Sequence, residues 1–233
     1  GPSDHGDTEE WNGSAWTEKN NLNTTRRFGG GNGTTAEACL YYGGLTPPTS
    51  YTNSELWNGT CWSETNDLTT ARNSLGGAGT STLALAFGGY STAATGDTES
   101  WNGSSWTETN NLNTARYGPG GVGTSTAALA FGGTYPYKNE TETWNGTNWT
   151  EVNNLNTARY ILAGVGPDSN SALAYGGLTT TDIANTEVWN GTSWTELNDL
   201  STARRPAGSG TTSSALASGG GPPSAATTEE FEA

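Results

Sequence analysis

One sentence is written five times along this chain. Near-copies of "WNGSSWTETNNLNTARYGPGGVGTSTAALAFGG" begin at Trp11, Trp57, Trp101, Trp144 and Trp189, spaced by 46, 44, 43 and 45 residues. A period of that length marks a stack or ring of small supersecondary units, each unable to bury its apolar surface without a neighbour. Any single-core reading of the 233 residues has to give way to it.

Within one copy, the stretch from Tyr117 to Val152 reads as four short strands. "YGPGGVG" is rich in small residues. "TSTAALAFGG" alternates, with Ala127, Leu129 and Phe131 on one side and Thr126, Ala128 and Ala130 on the other. That is the period of two expected of a strand. "TETWNG" and "NWTEV" supply two more, with Asn145-Gly146 marking a tight connection between Trp144 and Trp149. No window carries a helical stripe. Four antiparallel strands per 43 to 46 residues predict a propeller blade, and five copies predict an all-β, five-bladed β-propeller. Large side chains on one blade face (Leu129, Phe131) are expected to meet small ones (Ala128, Ala130) on the next. The paired Trp residues fill the outer half, where neighbouring sheets diverge.

Composition narrows the function. Nine Lys and Arg stand against 23 Asp and Glu, a formal net charge of -14. That balance argues against DNA, RNA or an anionic membrane as the natural partner, and no apolar run has the roughly 20 residues of a membrane-spanning helix. Only 31% of residues are hydrophobic and 34 are Gly, a disorder-like balance that the in-register 10 Trp and 9 Tyr argue against. Cys39 and Cys61 fall at different repeat positions, so the repeat does not call for a disulfide, and His5 is the one His, so no zinc or other metal site is expected. No full calcium pattern is present either.

The copies resemble kelch-type blades. Kelch blades end their second strand with a Gly pair; here these are Gly43-Gly44, Gly88-Gly89, Gly132-Gly133, Gly176-Gly177 and Gly219-Gly220. Two aromatics flank the following hairpin, matched by Trp57 with Trp62, Trp101 with Trp106, Trp144 with Trp149, and Trp189 with Trp194. An Arg opens the next blade, matched by Arg26, Arg72, Arg116, Arg159 and Arg204. The wording of the repeat is also similar to Trp-Asn-Gly-rich repeats in structural proteins of marine tailed phages. That second resemblance implies a virion or extracellular setting, with other virion proteins as neighbours and the isolated domain a monomer.

Five Arg-to-Gly-Gly halves and five Trp hairpins are present, but the first hairpin precedes the first complete blade. The expected closure is a shared blade: "AGSGTTSSALASGG" supplies two inner strands and "TEEWNGSAWTE" the outer hairpin. The tail "TTEEFEA", with Phe231 at the Trp101 position, either competes for the third-strand place or trails off. The expected division is a lead at 1–8 (Gly1-Pro2 resembles a protease-trimmed tag), one propeller at 9–220 and a tail at 221–233.

Comparing the copies locates function. The "GTST" turns and Trp hairpins are nearly fixed. The loops after each Gly pair and the residues after each Arg vary, and antiparallel geometry puts both variable sets on one face. Phe28, Tyr51, Tyr90, Tyr117, Tyr135, Tyr137 and Tyr160 lie in those sets and are the expected ligand-binding residues, suited to a host-surface glycan or protein. The repeated Arg residues are expected to be structural, each pairing with an acid such as Glu108 or Glu151 or with loop carbonyls. The Asn-Gly-Ser/Thr sites at Asn12, Asn32, Asn58, Asn102, Asn145 and Asn190 match a glycosylation pattern, but the hairpin explains most of them. Catalysis is not expected, and no cofactor: kelch copper oxidases need His and Tyr ligands, and nothing pairs Asp97, Asp168 and Asp182 as a glycosidase requires. The expectation is a non-catalytic binding or display module, with a purely structural spacer and a glycan-active enzyme as the alternatives.

Overall fold

The computed structural model describes residues 5–134, 136–221 and 227–232. The chain is an all-β, five-bladed propeller, and among the described residues no helix forms. An amino-terminal hairpin, β1 (Glu9–Trp11) and β2 (Trp16–Glu18), comes first. Blade 1 holds β3 (Gly30–Thr35), β4 (Ala38–Tyr42), β7 (Ser54–Trp57) and β8 (Trp62–Thr65), with a two-stranded excursion, β5 (Leu45–Thr46) and β6 (Thr49–Ser50), after its Gly pair. Blade 2 is β9 (Gly76–Gly79), β10 (Ala84–Phe87), β11 (Thr98–Trp101) and β12 (Trp106–Thr109). Blade 3 is β13 (Gly120–Gly123), β14 (Ala128–Phe131), β15 (Thr141–Trp144) and β16 (Trp149–Val152). Blade 4 is β17 (Ala163–Asp168), β18 (Ser171–Tyr175), β19 (Thr186–Trp189) and β20 (Trp194–Glu196). Blade 5 is β21 (Ala207–Gly210), β22 (Ser214–Ser218) and β23 (Thr228–Glu232). Every pairing is antiparallel, and the innermost strands β3, β9, β13, β17 and β21 pack in that order around the axis.

The alternation read from the sequence becomes the core. Leu85 and Phe87 of blade 2 join Ala128, Ala130, Trp144 and Trp149 of blade 3 in one buried cluster. Leu129 and Phe131 of blade 3 meet Ala172, Ala174, Trp189 and Trp194 of blade 4 in the next. The Phe ring lies edge-on to the second Trp of the neighbour, 5.0 Å for Phe87 and Trp149 and 4.9 Å for Phe131 and Trp194, a favoured aromatic geometry. The Gly pair that ends each second strand is forced by close approach. Gly88 has φ of 65°, and a Cβ there would sit 2.6 Å from the carbonyl oxygen of Arg116, which accepts from the amide of Gly89.

The tight connection read at Asn145-Gly146 is a four-residue loop, with Trp144 paired to Trp149. The Asn145 side-chain oxygen accepts from the amides of Thr147 and Asn148 while Gly146 takes φ of 91°. The Asn is therefore spent on its own loop. One detail differs from expectation: the termini do not share a sheet. The tail takes the third-strand place as β23, with Phe231 opposite Ala215 where Trp144 stands opposite Ala128. The hairpin β1–β2 forms a sheet of its own and meets blade 5 through Trp16, whose indole donates to the Thr228 hydroxyl (3.2 Å). The tail wins because it follows β22 directly in the chain and carries the same Thr-Glu-x-aromatic order as the other third strands. Bonding at the amino end begins ahead of Glu9, since Thr8 accepts from the indole of Trp62.

Candidate functional site

The five repeated Arg residues are structural staples. Arg26, Arg72, Arg116 and Arg159 are fully buried and reach Glu55, Glu99, Glu142 and Glu187 at 2.6, 3.0, 2.5 and 3.0 Å. Arg204 meets Glu229 in the same way. The partner is the third-strand acid, not Glu108 or Glu151 on the fourth strand as the sequence suggested. Glu99 and Glu108 face each other across the ladder, and Glu99 lies one strand nearer the axis, within reach of an Arg that enters there. Each carboxylate also accepts from the incoming connector: Glu142 takes the amide and side-chain amide of Asn113 and the amide of Thr114. The guanidinium meets loop carbonyls as well, Arg116 reaching those of Gly132 and Glu140. Burial lowers the pKa values of Arg72, Arg116 and Arg159, and the facing glutamates oppose that shift. A guanidinium remains charged under such shifts, so each blade encloses a compensated ion pair.

The two Trp residues divide the labour. The first binds its own blade: Trp57, Trp101, Trp144 and Trp189 donate to the carbonyls of Ala36, Ser81, Ser125 and Ser169 in the turn after the innermost strand. The second binds the preceding blade: Trp106, Trp149 and Trp194 donate to the hydroxyls of Ser54, Thr98 and Thr141 at about 3 Å. Sequence reasoning treated both as volume. The hydroxyl that opens each third strand was the missed signal.

The variable residues do converge on one face. Bridges join the position after each Arg to the loop after each Gly pair, as in Arg27 with Leu45, Asn73 with Tyr90 and Tyr160 with Leu178. Four of the seven expected aromatics form a continuous row there. Tyr90 lies edge-on to Tyr117 (5.5 Å), Tyr117 edge-on to Tyr160 (6.0 Å), and Tyr160 stacks on Tyr137 (5.7 Å, 26°). Tyr90 is 40% exposed. Burial, then Tyr117 and Tyr137, pushes the Tyr160 phenol above its ordinary value, so that hydroxyl is able to donate a hydrogen bond at pH 7. Phe28 stands apart, 48% exposed beside the Arg27 guanidinium (5.6 Å), and Tyr51 is half-buried outside the row. Tyr135 lies outside the described residues.

Beneath that row the backbone is held in an unusual conformation. Phe28, Ser74, Gly118 and Ile161 all have φ between 50° and 63°. Their peptides link blade to blade: Ser74 donates to Phe28 (2.6 Å), Gly118 to Ser74 (2.6 Å) and Ile161 to Gly118 (2.8 Å). A positive φ is strained for a β-branched residue such as Ile161, and it persists because the ladder holds it. Pro206, at the same position in blade 5, has no N–H and ends the ladder.

The opposite face has a cavity that the sequence reading missed. About 910 Å³ runs along the axis past Gly77, Gly121, Gly164 and Gly208 and out between blade 5 and blade 1 to Trp11, Tyr41 and Trp62. Its clue was Tyr41, which stands where the other blades have Ala86, Ala130, Ala174 and Ala217. Among the described residues, no group of three His, Cys, Asp or Glu side chains is placed to hold a metal ion. No family model matches the chain, and no curated protein shows significant similarity to it.

Proposed function

We propose that the chain is a non-catalytic binding module of kelch type, displayed on a phage virion, and that its ligand is a host-surface glycan. The tyrosine row Tyr90–Tyr117–Tyr160–Tyr137 carries this reading. Phenol rings offer flat apolar faces for the C–H faces of sugar rings and hydroxyls for their polar edges. The row lies on loops that differ from copy to copy, above a frame of buried ion pairs that does not, which is where recognition residues concentrate. Each contact is shallow, and many copies on one particle would raise weak binding through avidity.

A multivalent form probed on a glycan array, with adsorption to candidate host cells beside it, tests the reading. Binding that is lost in Tyr117→Ala with Tyr160→Ala supports it. Binding that survives those changes but falls when the "GTST" turns are altered moves the ligand to the opposite face. Adsorption to cells that glycosidase treatment leaves intact gives the partner as a protein, and no binding in either format leaves a structural spacer.

A further inference from the structure

The edge of β22 is an acceptor for a Thr-Glu-x-aromatic strand, and the chain contains two segments that fit it. The tail occupies it with Thr228-Glu229-Glu230-Phe231, in the register Ala215↔Phe231 and Ala217↔Glu229. The amino-terminal strand carries the same order in Thr8-Glu9-Glu10-Trp11. We propose that β1 and β23 compete for β22, so that the seam between blade 5 and blade 1 has two closures: the tail-bound one seen here and one in which the hairpin β1–β2 completes blade 5.

Four observations support the second closure. First, the tail is held less completely than its equivalents. Glu229 is 23% exposed, where its counterparts on the other four Arg residues are at most 1% exposed, and among the described residues no fourth strand covers β23. Second, among the described residues β1 pairs with β2 and with no other strand. Among the described residues Glu9 has no Arg, although its five counterparts each have one, and the Trp11 indole has no acceptor, although Trp57, Trp101, Trp144 and Trp189 each have one. Third, the hairpin already makes the bond of a preceding blade. Trp62 donates to Thr8, as Trp106 donates to Ser54 and Trp149 to Thr98.

The fourth observation is a size inversion. In the complete interfaces Phe87 or Phe131 on one blade faces alanines on the next. At the seam Ser218 stands in the Phe position of blade 5 and Tyr41 in the Ala position of blade 1. Volume has moved from one wall to the other, which keeps the sum when those walls meet; here Tyr41 and Leu216 both line the cavity, and Tyr41 is held by the Gly29 amide and the Arg26 guanidinium instead. In the second closure the repeat register gives each hairpin group its partner: Glu9 to Arg204, the Trp11 indole to the carbonyl of Thr212, and the Trp16 indole to the hydroxyl of Thr186.

Cross-linking in the full chain tests this, with Cys39→Ser and Cys61→Ser as background. Leu216→Cys combined with Glu10→Cys places thiols on strands that are in separate sheets here and paired in the second closure, within disulfide reach. Leu216→Cys combined with Glu230→Cys is the control, pairing residues that face each other now. Under oxidised glutathione the control closes first, and the test pair closes more slowly within a single chain. Glu229→Gln speeds the test pair and Glu9→Gln slows it, each by up to about fivefold for an interaction of surface-pair strength. Opposite signs are required, because general loosening would move both the same way. No cross-link in the test pair, equal signs for the two Gln variants, or a cross-link found only between chains overturns the proposal; the last result would give the β22 edge to a second copy.

Discussion

Two joints in this ring can be laid side by side. Between blades 2 and 3, Leu85 and Phe87 pack on Ala128, Ala130, Trp144 and Trp149, and an indole from blade 3 bonds a hydroxyl of blade 2. Between blades 5 and 1, Ser218 replaces the Phe, Tyr41 replaces the Ala, and the hairpin β1–β2 stands in the gap, tied by Trp16 to Thr228 and by Trp62 to Thr8. The first joint is apolar area with polar pins. The second keeps the pins and loses most of the area. The hydroxyl–indole and Arg–Glu contacts therefore set where a blade sits, and burial of Phe and Leu supplies most of the cohesion.

The comparison breaks most visibly at the ion pairs. Arg159→Ala strands the buried Glu187 carboxylate and should cost about 3–5 kcal/mol. Arg204→Ala should cost clearly less, because Glu229 is partly open to water and keeps its bond from the Ser201 amide. Urea denaturation of both variants measures the gap, and equal losses would mean that the seam is as tight as any other joint.

Side-chain size gives the next effect. Ala130→Tyr puts into a complete joint the residue that blade 1 tolerates at its open one, and should cost about 1–3 kcal/mol by overpacking. Tyr41→Ala removes a ring 5.0 Å from the Arg26 guanidinium and an acceptor for the Gly29 amide, for about 1 kcal/mol. If thermal melts rank the two the other way, the joints do not differ in packing.

Acid gives the smallest effect. Partial burial works to raise the Glu229 carboxyl pKa, but bonds from Ser201 and the Arg204 guanidinium outweigh it and hold the value below the usual 4.5. A depressed carboxyl adds stability that is complete above the unfolded-state value, about 4.3, and is lost as pH falls through the folded one. Hydrogen exchange of the β23 amides should therefore quicken as pH falls below about 4.3 relative to β15 amides, after correction for the intrinsic pH dependence. Glu229→Gln should remove that difference.

The blade was legible in the sequence because its grammar is local: alternation in Ala128 to Phe131, Gly pairs where an Arg carbonyl presses on Cα, and aromatics flanking an Asn-Gly loop. The shared face of the variable loops followed from antiparallel order alone. Three things did not follow. The choice of Glu142 over Glu151 depends on distance from the axis, and both acids sit in similar "TE" pairs. The indole–hydroxyl bonds cross about 50 residues of sequence and leave only a Ser or Thr as their trace. The seam depends on a contest between Thr8–Trp11 and Thr228–Phe231, two strands with nearly the same letters. In the tyrosine set, adjacency on the ring separated the connected four from Phe28 and Tyr51, and adjacency is a three-dimensional property.

The peptide ladder through Phe28, Ser74, Gly118 and Ile161 has a consequence for heredity. Its rungs are drawn from the main chain, so letters other than Pro can stand at those positions without unmaking it, and four different ones already do. A mutation at Tyr117 or Tyr160, one residue before a rung, alters what the face displays and leaves the register of the blades alone. Such a molecule can try new surfaces one codon at a time, with the cost of each trial confined to the letter that was changed.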